Sequence, residues 1–88
     1  MKVLYEKSFL RDIKKVKNQK LLNNLTNTIE EIKSADEIFS LANIRKLKGH
    51  PAAYSIRISD FRLGFFYDNN TAIITRFLNR KNIYKFFP

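Results

Sequence analysis

Tyr54-Ser55-Ile56-Arg57-Ile58-Ser59-Asp60-Phe61-Arg62-Leu63-Gly64-Phe65 decides the reading of this chain. Two runs of alternating residues meet at Ser59-Asp60, a pair suited to a two-residue hairpin turn. Such a turn sets Arg57 directly across from Arg62 and Ser55 across from Gly64. On the other parity Tyr54, Ile56 and Ile58 meet Phe65, Leu63 and Phe61, a wholly apolar face. Like charges opposite one another on a sheet repel, so folding by itself gives no reason for the arginine pair. One side builds the core; the other presents a doubled cation. The small pair Ser55 and Gly64 leaves room there for a polyanion to reach the sheet, and the expectation is a phosphate-binding floor.

Outward from this hairpin the pattern continues as a meander. Strands are expected over residues 44–48, 53–59, 61–67 and 71–78, joined by Gly49-His50-Pro51 and by Asp68-Asn69-Asn70. Upstream, residues 3–6 form a short strand, and Ser8 stands where a cap belongs before Phe9, Ile13 and Val16 at helical spacing. Arg11, Lys14, Lys15, Lys17 and Lys20 cover the other faces. After Asn18-Gln19 a second helix carries Leu21, Leu22, Leu25, Ile29 and Ile32 along one stripe, making a helix hairpin. Residues 34–43 show no clear period and read as a connection with one helical turn near 38–41. Residues 80–86 form a short helix or turn, and Phe86 and Phe87 are expected to pack on the helix hairpin. The class is α+β: an N-terminal strand, a helix hairpin, a four-stranded antiparallel meander and a short C-terminal helix, in a single domain over residues 1–88.

The second hairpin allows two registers. A two-residue loop, Asn69-Asn70, pairs Leu63 with Arg76 and turns an arginine into the core, which is costly without a partner. A three-residue loop over 68–70 sets Arg76 beside Arg62 and gives the core Ile73, Thr75 and Phe77. The odd loop, with Arg57, Arg62 and Arg76 in a row across three strands, is the expectation.

Composition agrees with a polyanionic partner. Seventeen Lys and Arg against eight Asp and Glu give a net charge of +9 on 88 residues, which attracts RNA, DNA, an acidic protein or an anionic surface at long range. The chain has no cysteine, and its start lacks the apolar core of a secretion signal, so a cytoplasmic protein is expected. No stretch approaches the roughly 20 apolar residues that span a bilayer. Glu30, Glu31, Asp36 and Glu37 lack histidine or cysteine companions and read as helix-surface charges, so neither metal nor cofactor is expected. The only histidine, His50, lies in a loop between Gly49 and Pro51.

Four segments, Lys46-Leu47-Lys48-Gly49, Tyr54-Ser55-Ile56-Arg57-Ile58, Asp60-Phe61-Arg62-Leu63 and Asn79-Arg80-Lys81-Asn82-Ile83-Tyr84, stand in an order and at distances that resemble the RelE/ParE superfamily of toxins from toxin–antitoxin systems. The order of elements over nearly the whole chain is similar too. The resemblance implies, on the RelE branch, a toxin that enters the ribosomal A site, cuts messenger RNA and is held inactive by an antitoxin wrapped around it. The ParE branch instead inhibits DNA gyrase. By this resemblance Arg57, Arg62 and Tyr84 match residues of the family's site, and Lys46, Lys48 and Arg80 match its basic positions. Together with the sheet reading, the expected catalytic set is Arg57, Arg62, Arg80, Tyr84 and Lys48, and the expected substrate contacts are Lys46, Arg76, Asn79 and Ser55. The sequence departs from the pattern at Asn79, where many relatives with this ending carry histidine; an amide cannot shuttle a proton.

The chemistry sets its own demands. RNA cleavage without a metal needs the 2′-hydroxyl deprotonated, the charge on the pentacoordinate phosphate stabilised and the departing 5′-oxygen protonated. Forked guanidinium groups suit the second task. Lysine and tyrosine ordinarily titrate near about pH 10, so either type serves proton transfer at neutral pH only where clustered cations lower that value. The favoured reading is a ribosome-dependent messenger-RNA endonuclease with a cognate acidic antitoxin. The alternatives are a gyrase inhibitor without nuclease chemistry and a non-toxic RNA-binding module.

Overall fold

The computed structural model describes residues 1–88. In chain order the elements are β1 (Lys2–Tyr5), α1 (Lys7–Lys14), α2 (Gln19–Ser34), a single 3-10 turn at Ile38–Ser40, β2 (Ile44–Lys46), β3 (Ala53–Ile58), β4 (Phe61–Asp68), β5 (Thr71–Asn79) and α3 (Ile83–Phe86). The expected succession of strand, helix hairpin, meander and short helix is present. The sheet has five strands rather than four, in the order β1-β5-β4-β3-β2, because β1 pairs in parallel with β5. No helix is long and apolar enough to cross a membrane.

The first hairpin folds in the expected register. Arg57 faces Arg62, Ser55 faces Gly64, and Tyr54, Ile56 and Ile58 face Phe65, Leu63 and Phe61. Ser59 takes φ 57°, left-handed only at the first central position of the turn, as in the tight turns that match strand twist. Leu63, Phe65 and Phe77 are essentially fully buried. Burying each such side chain contributes about 1.5–3 kcal/mol, whereas a like-charge pair on an exposed sheet face costs under about 1 kcal/mol. The apolar face therefore dictates the register, and the arginine pair follows from it.

The helices cover that apolar face. Phe9 from α1 and Leu21, Leu25, Ile29 and Ile32 from α2 join Ile56, Ile58, Leu63, Phe65 and Phe77 in one core, with Ile13, Val16 and Leu22 packed at its margin. Asn18 caps α2, its side chain accepting from the Leu21 N–H at 3.1 Å. Ser8 does not cap α1. It lies inside the helix, after Glu6 at the cap position, and its hydroxyl donates to the Thr75 carbonyl at 2.7 Å.

The second hairpin departs from the expected odd loop. Asp68 pairs with Thr71, so the loop is the two residues Asn69-Asn70, both left-handed at φ 49° and 58°. Asparagine tolerates that conformation, and two consecutive left-handed residues are what the most compact hairpin turn requires. The parity problem is solved later in the strand. Phe65 pairs with Ile74 but Gly64 pairs with Arg76, leaving Thr75 as an extra bulged residue. Ala72 and Ile74 fill the core before the bulge and Phe77 after it; Ile73 and Thr75 do not. Arg76 reaches the face of Gly64 without any odd loop, but one pair away from Arg62.

A second apolar cluster occupies part of the opposite face. Leu47, Ala53, Ile83 and Phe87 are buried together, with Phe66 and Leu78 against them. The Phe87 ring lies over Gly64, where an added Cβ would stand 2.7 Å from its Cδ2. The room left by Gly64 is thus taken by the chain's own aromatic ring, and Phe87 packs across the sheet from the helix hairpin while Phe86 stays 59% exposed. Gly64→Ala is expected to displace Phe87 and to lower stability by about 1–3 kcal/mol through overpacking. A thermal melt checks this; an unchanged melting temperature contradicts the fit of Phe87 over Gly64.

Candidate functional site

At the end of the sheet left open by Phe87 lies a cleft of about 620 Å³, lined by Asn43, Ile44, Arg45, Ser55, Arg57, Arg62, Arg80, Lys81 and Tyr84. β3 and β4 supply the floor: Ser55 and Arg57 from one strand and Arg62 from the other, on one face by their cross-strand pairing. β2 adds Arg45, opposite Ser55. The turn after β5 adds Arg80 and Lys81, and α3 adds Tyr84, 49% exposed. The Arg80 N–H donates to the Asp60 carbonyl at 2.8 Å, which ties this turn to the first hairpin.

The charge of the cleft is one-sided. Five cations, Arg45, Arg57, Arg62, Arg80 and Lys81, line it and no carboxylate does. Arg62 is held against its own hairpin, its Nη1 donating to the Phe61 carbonyl at 2.9 Å and the Ser59 carbonyl at 3.2 Å. The rest of its guanidinium fork is left to meet an anion. A smaller neighbouring hollow shares Asn43, Arg57, Arg62 and Arg80 and is completed by Ser59 and Asp60, so the cationic surface runs on to the hairpin turn and meets one carboxylate there. Side chains that repel one another and are gathered without a counter-charge suit a ligand that brings the negative charge itself.

Of the residues expected from the sequence, Arg57, Arg62, Arg80, Tyr84 and Ser55 line this cleft. Lys46 and Lys48 do not. They line an adjoining groove of about 330 Å³ that shares Arg45 and Tyr84 with the cleft. Lys46 pairs with Tyr54 and so belongs to the helix-covered parity of the sheet. Its ammonium donates to the Pro51 carbonyl at 3.0 Å and stands 5.5 Å from the centre of the Tyr54 ring. His50 turns into its own loop, where its Nδ1 accepts from the Ala52 N–H at 3.1 Å.

Two expected substrate contacts are engaged elsewhere. The Asn79 Oδ1 accepts from the N–H groups of Lys81 and Asn82, both at 3.1 Å, and so holds the turn into α3. Arg76 is not in a row with Arg57 and Arg62. Its Nε and Nη2 donate to the two carboxylate oxygens of Asp12 at 2.8 and 3.0 Å. Asp12 is only 5% exposed and accepts in addition from the Phe77 N–H at 2.9 Å. The physical reason is the sheet edge: the pairing of β1 stops at Tyr5 with Ile74, and α1 supplies the acceptor that the strand no longer does. The hydrogen bond to Asp12 raises the pKa of Arg76 above its ordinary value, burial opposing, so the guanidinium keeps its charge through the neutral range and what it contributes to the pair is lost as pH rises into strong alkali.

Sequence reasoning missed Arg45, Lys81 and Asn43. Arg45 was hidden because the residues between β2 and β3 are too many to fix a register, and parity chooses Arg45 over its neighbour Lys46.

No protein-family model matches the chain. Toxin RelE3 of Methanocaldococcus jannaschii is 36% identical over 89 residues that span 100% of both chains. The chain belongs to the RelE-like toxins of toxin–antitoxin modules. The RelB-RelE antitoxin-toxin complex from Methanococcus jannaschii contains a chain similar to this toxin at 32% identity, with a TM-score of 0.81 over 97% of this chain and 99% of that one. The E. coli DinJ-YafQ complex gives a TM-score of 0.65 at 12% identity, covering 93% of this toxin and 96% of that chain, a likeness of fold alone.

Proposed function

We propose that this toxin is a ribosome-dependent endoribonuclease that cuts messenger RNA by attack of the 2′-hydroxyl on the adjacent phosphate, and that an acidic antitoxin silences it. The observation that carries the reading is the cleft lined by five cations and no carboxylate, with a tyrosine at its rim. Arg57 and Arg62 supply forked donors to the phosphate oxygens as negative charge builds, the task guanidinium groups do best. Arg45, Arg80 and Lys81 extend the same field over flanking phosphates. As the 2′-oxygen bonds to phosphorus its proton passes to water, the bond from phosphorus to the 5′-oxygen breaks, and Tyr84 is the residue in reach to give that departing oxygen a proton, its phenolate regaining one from solvent. No carboxylate or histidine lines the cleft to take that step. The ribosome then contributes by fixing the RNA in line, an effect of orientation.

The +9 charge favours an acidic partner as inhibitor. The relative in the RelB-RelE antitoxin-toxin complex is held with an antitoxin, which supports the same arrangement here.

The test is induced expression without antitoxin, followed by mapping of message ends in ribosome-bound RNA. New ends within coding regions are expected. Growth arrest with DNA damage and no cleavage would replace this reading with gyrase inhibition. Within the same assay Arg45→Ala is expected to slow cleavage about tenfold, by loss of a phosphate contact, while Lys46→Ala stays within about twofold. The opposite order would mean that sheet parity does not select the RNA-binding side chains.

A further inference from the structure

We propose that Asp12 and Arg76 form a positioning pair for α3, and that through Phe86 they set where Tyr84 stands in the cleft. The inference rests on the nuclease reading for its catalytic consequence, but its structural half stands apart from it. α3 has four residues, far below the roughly 12 at which a helix holds together unaided. Its inward line is Ile83 and Phe87, one helical turn apart and both buried in the small second cluster. Apart from the turn that Asn79 holds at its N-terminal end, so short a helix has little besides that line to resist a roll about it.

Phe86 and Tyr84 lie on opposite flanks of the line, by the angular step of a helix. Tyr84 faces the cleft. On the other flank the Arg76 guanidinium stands 5.5 Å from the centre of the Phe86 ring. Phe86 is 59% exposed, so this contact is a large share of what holds it. The guanidinium is itself held at two points. Both carboxylate oxygens of Asp12 hold it, and Asp12 is fixed in turn by the Phe77 N–H. A roll of α3 that lifts Phe86 from Arg76 swings Tyr84 the other way. Asp12, some 70 residues away in sequence, thereby reaches the cleft without touching it.

Arg76→Met keeps the length of the stem, removes the planar cation and leaves Asp12 its bond to Phe77. Leaving the Asp12 carboxylate without its cation lowers protection throughout, so the expected result is a local excess: amide hydrogen exchange over residues 83–87 rises about tenfold more than over α1 and the central strands, and the Tyr84 ring resonances shift, whereas an equal rise everywhere counts against the proposal. Cleavage of ribosome-bound message is expected to fall about tenfold in the single-turnover rate with KM within about twofold. Added to Tyr84→Phe, it should cost less than about twofold more, because both changes act on one hydroxyl. Arg76→Lys, which restores a cation but not the fork that Asp12 holds, should recover part of the rate. Phe86→Leu removes an exposed ring, cannot empty the core, and should reproduce the effect of Arg76→Met. Unchanged exchange over 83–87 overturns the proposal. So does a rise in KM with the rate held, which would make Arg76 a substrate contact, or a loss that multiplies with that of Tyr84→Phe. If the native toxin does not cleave RNA, the nuclease reading fails by itself, and exchange and the Tyr84 resonances still decide whether the pair holds α3.

Discussion

Arg62→Ala is expected to lose about a hundredfold or more of ribosome-dependent cleavage, the equivalent of roughly 3 kcal/mol of barrier for one removed stabiliser of transition-state charge. The expectation follows from where Arg62 stands. It lines the cleft, faces Arg57 across the hairpin and is oriented by two backbone carbonyls of its own turn. A side chain held in advance loses little on meeting the phosphate, which is the condition under which such donors act most strongly. Arg62→Lys keeps the charge but not the fork, and should recover only part of the rate. The fold should tolerate both. Truncation opens no core cavity, and loss of two hydrogen bonds, one exposed and one part-buried, is set against relief of repulsion with Arg57, so the net change stays within about 1 kcal/mol. Message-end mapping and a thermal melt on the same preparation separate the two effects. Native-rate cleavage by Arg62→Ala would remove the arginine pair from the mechanism.

Asp12→Ala is expected to be among the costliest of the single changes for stability. It strips Arg76 of both carboxylate bonds and leaves the Phe77 N–H without an acceptor at a sheet edge that α1 covers. Breaking a buried pair from one side typically costs about 3–5 kcal/mol. The Arg76 side chain retains 24% exposure and regains some hydration, so about 2–4 kcal/mol is the expected range here. Each kilocalorie moves the midpoint of a domain this small by about 4–8 °C, so the melt should fall by roughly 10 °C or more. Asp12→Asn keeps an acceptor for Phe77 and should cost less. Asp12→Ala combined with Arg76→Met should also recover part of the loss, because the uncompensated cation is gone. A melt of Asp12→Ala within about 2 °C of the native value would show that the edge of β5 does not depend on α1.

Much of this was legible in the sequence because alternation on a short hairpin is a local signal. The turn Ser59-Asp60 fixes the pairing of β3 with β4, and the apolar residues on one parity outweigh the arginines on the other. Helical spacing marked the stripe of α2 in the same way, and four segments from Lys46 to Tyr84 carried the likeness to the RelE toxins. These readings need only neighbours along the chain or across one tight turn.

Tertiary structure decided what depended on distant partners. The bulge at Thr75, not an odd loop, turned Arg76 out of the core, and that bulge is met by Ser8 from α1. Arg76 left the expected row of cations because the one acid among the basic residues of α1 was waiting at the edge of β5, 64 residues away in sequence. Arg45 entered the cleft in place of Lys46 because a long connection leaves register to the pairing of β2 with β3. Phe87 closed the space above Gly64 because the second face of the sheet also had apolar side chains to bury. By itself the sequence determined a basic α+β domain with an arginine pair on one sheet face. Which of its cations became a cleft and which became a strut was set by long-range packing, since a charge is free for a ligand only where the fold brings it no carboxylate.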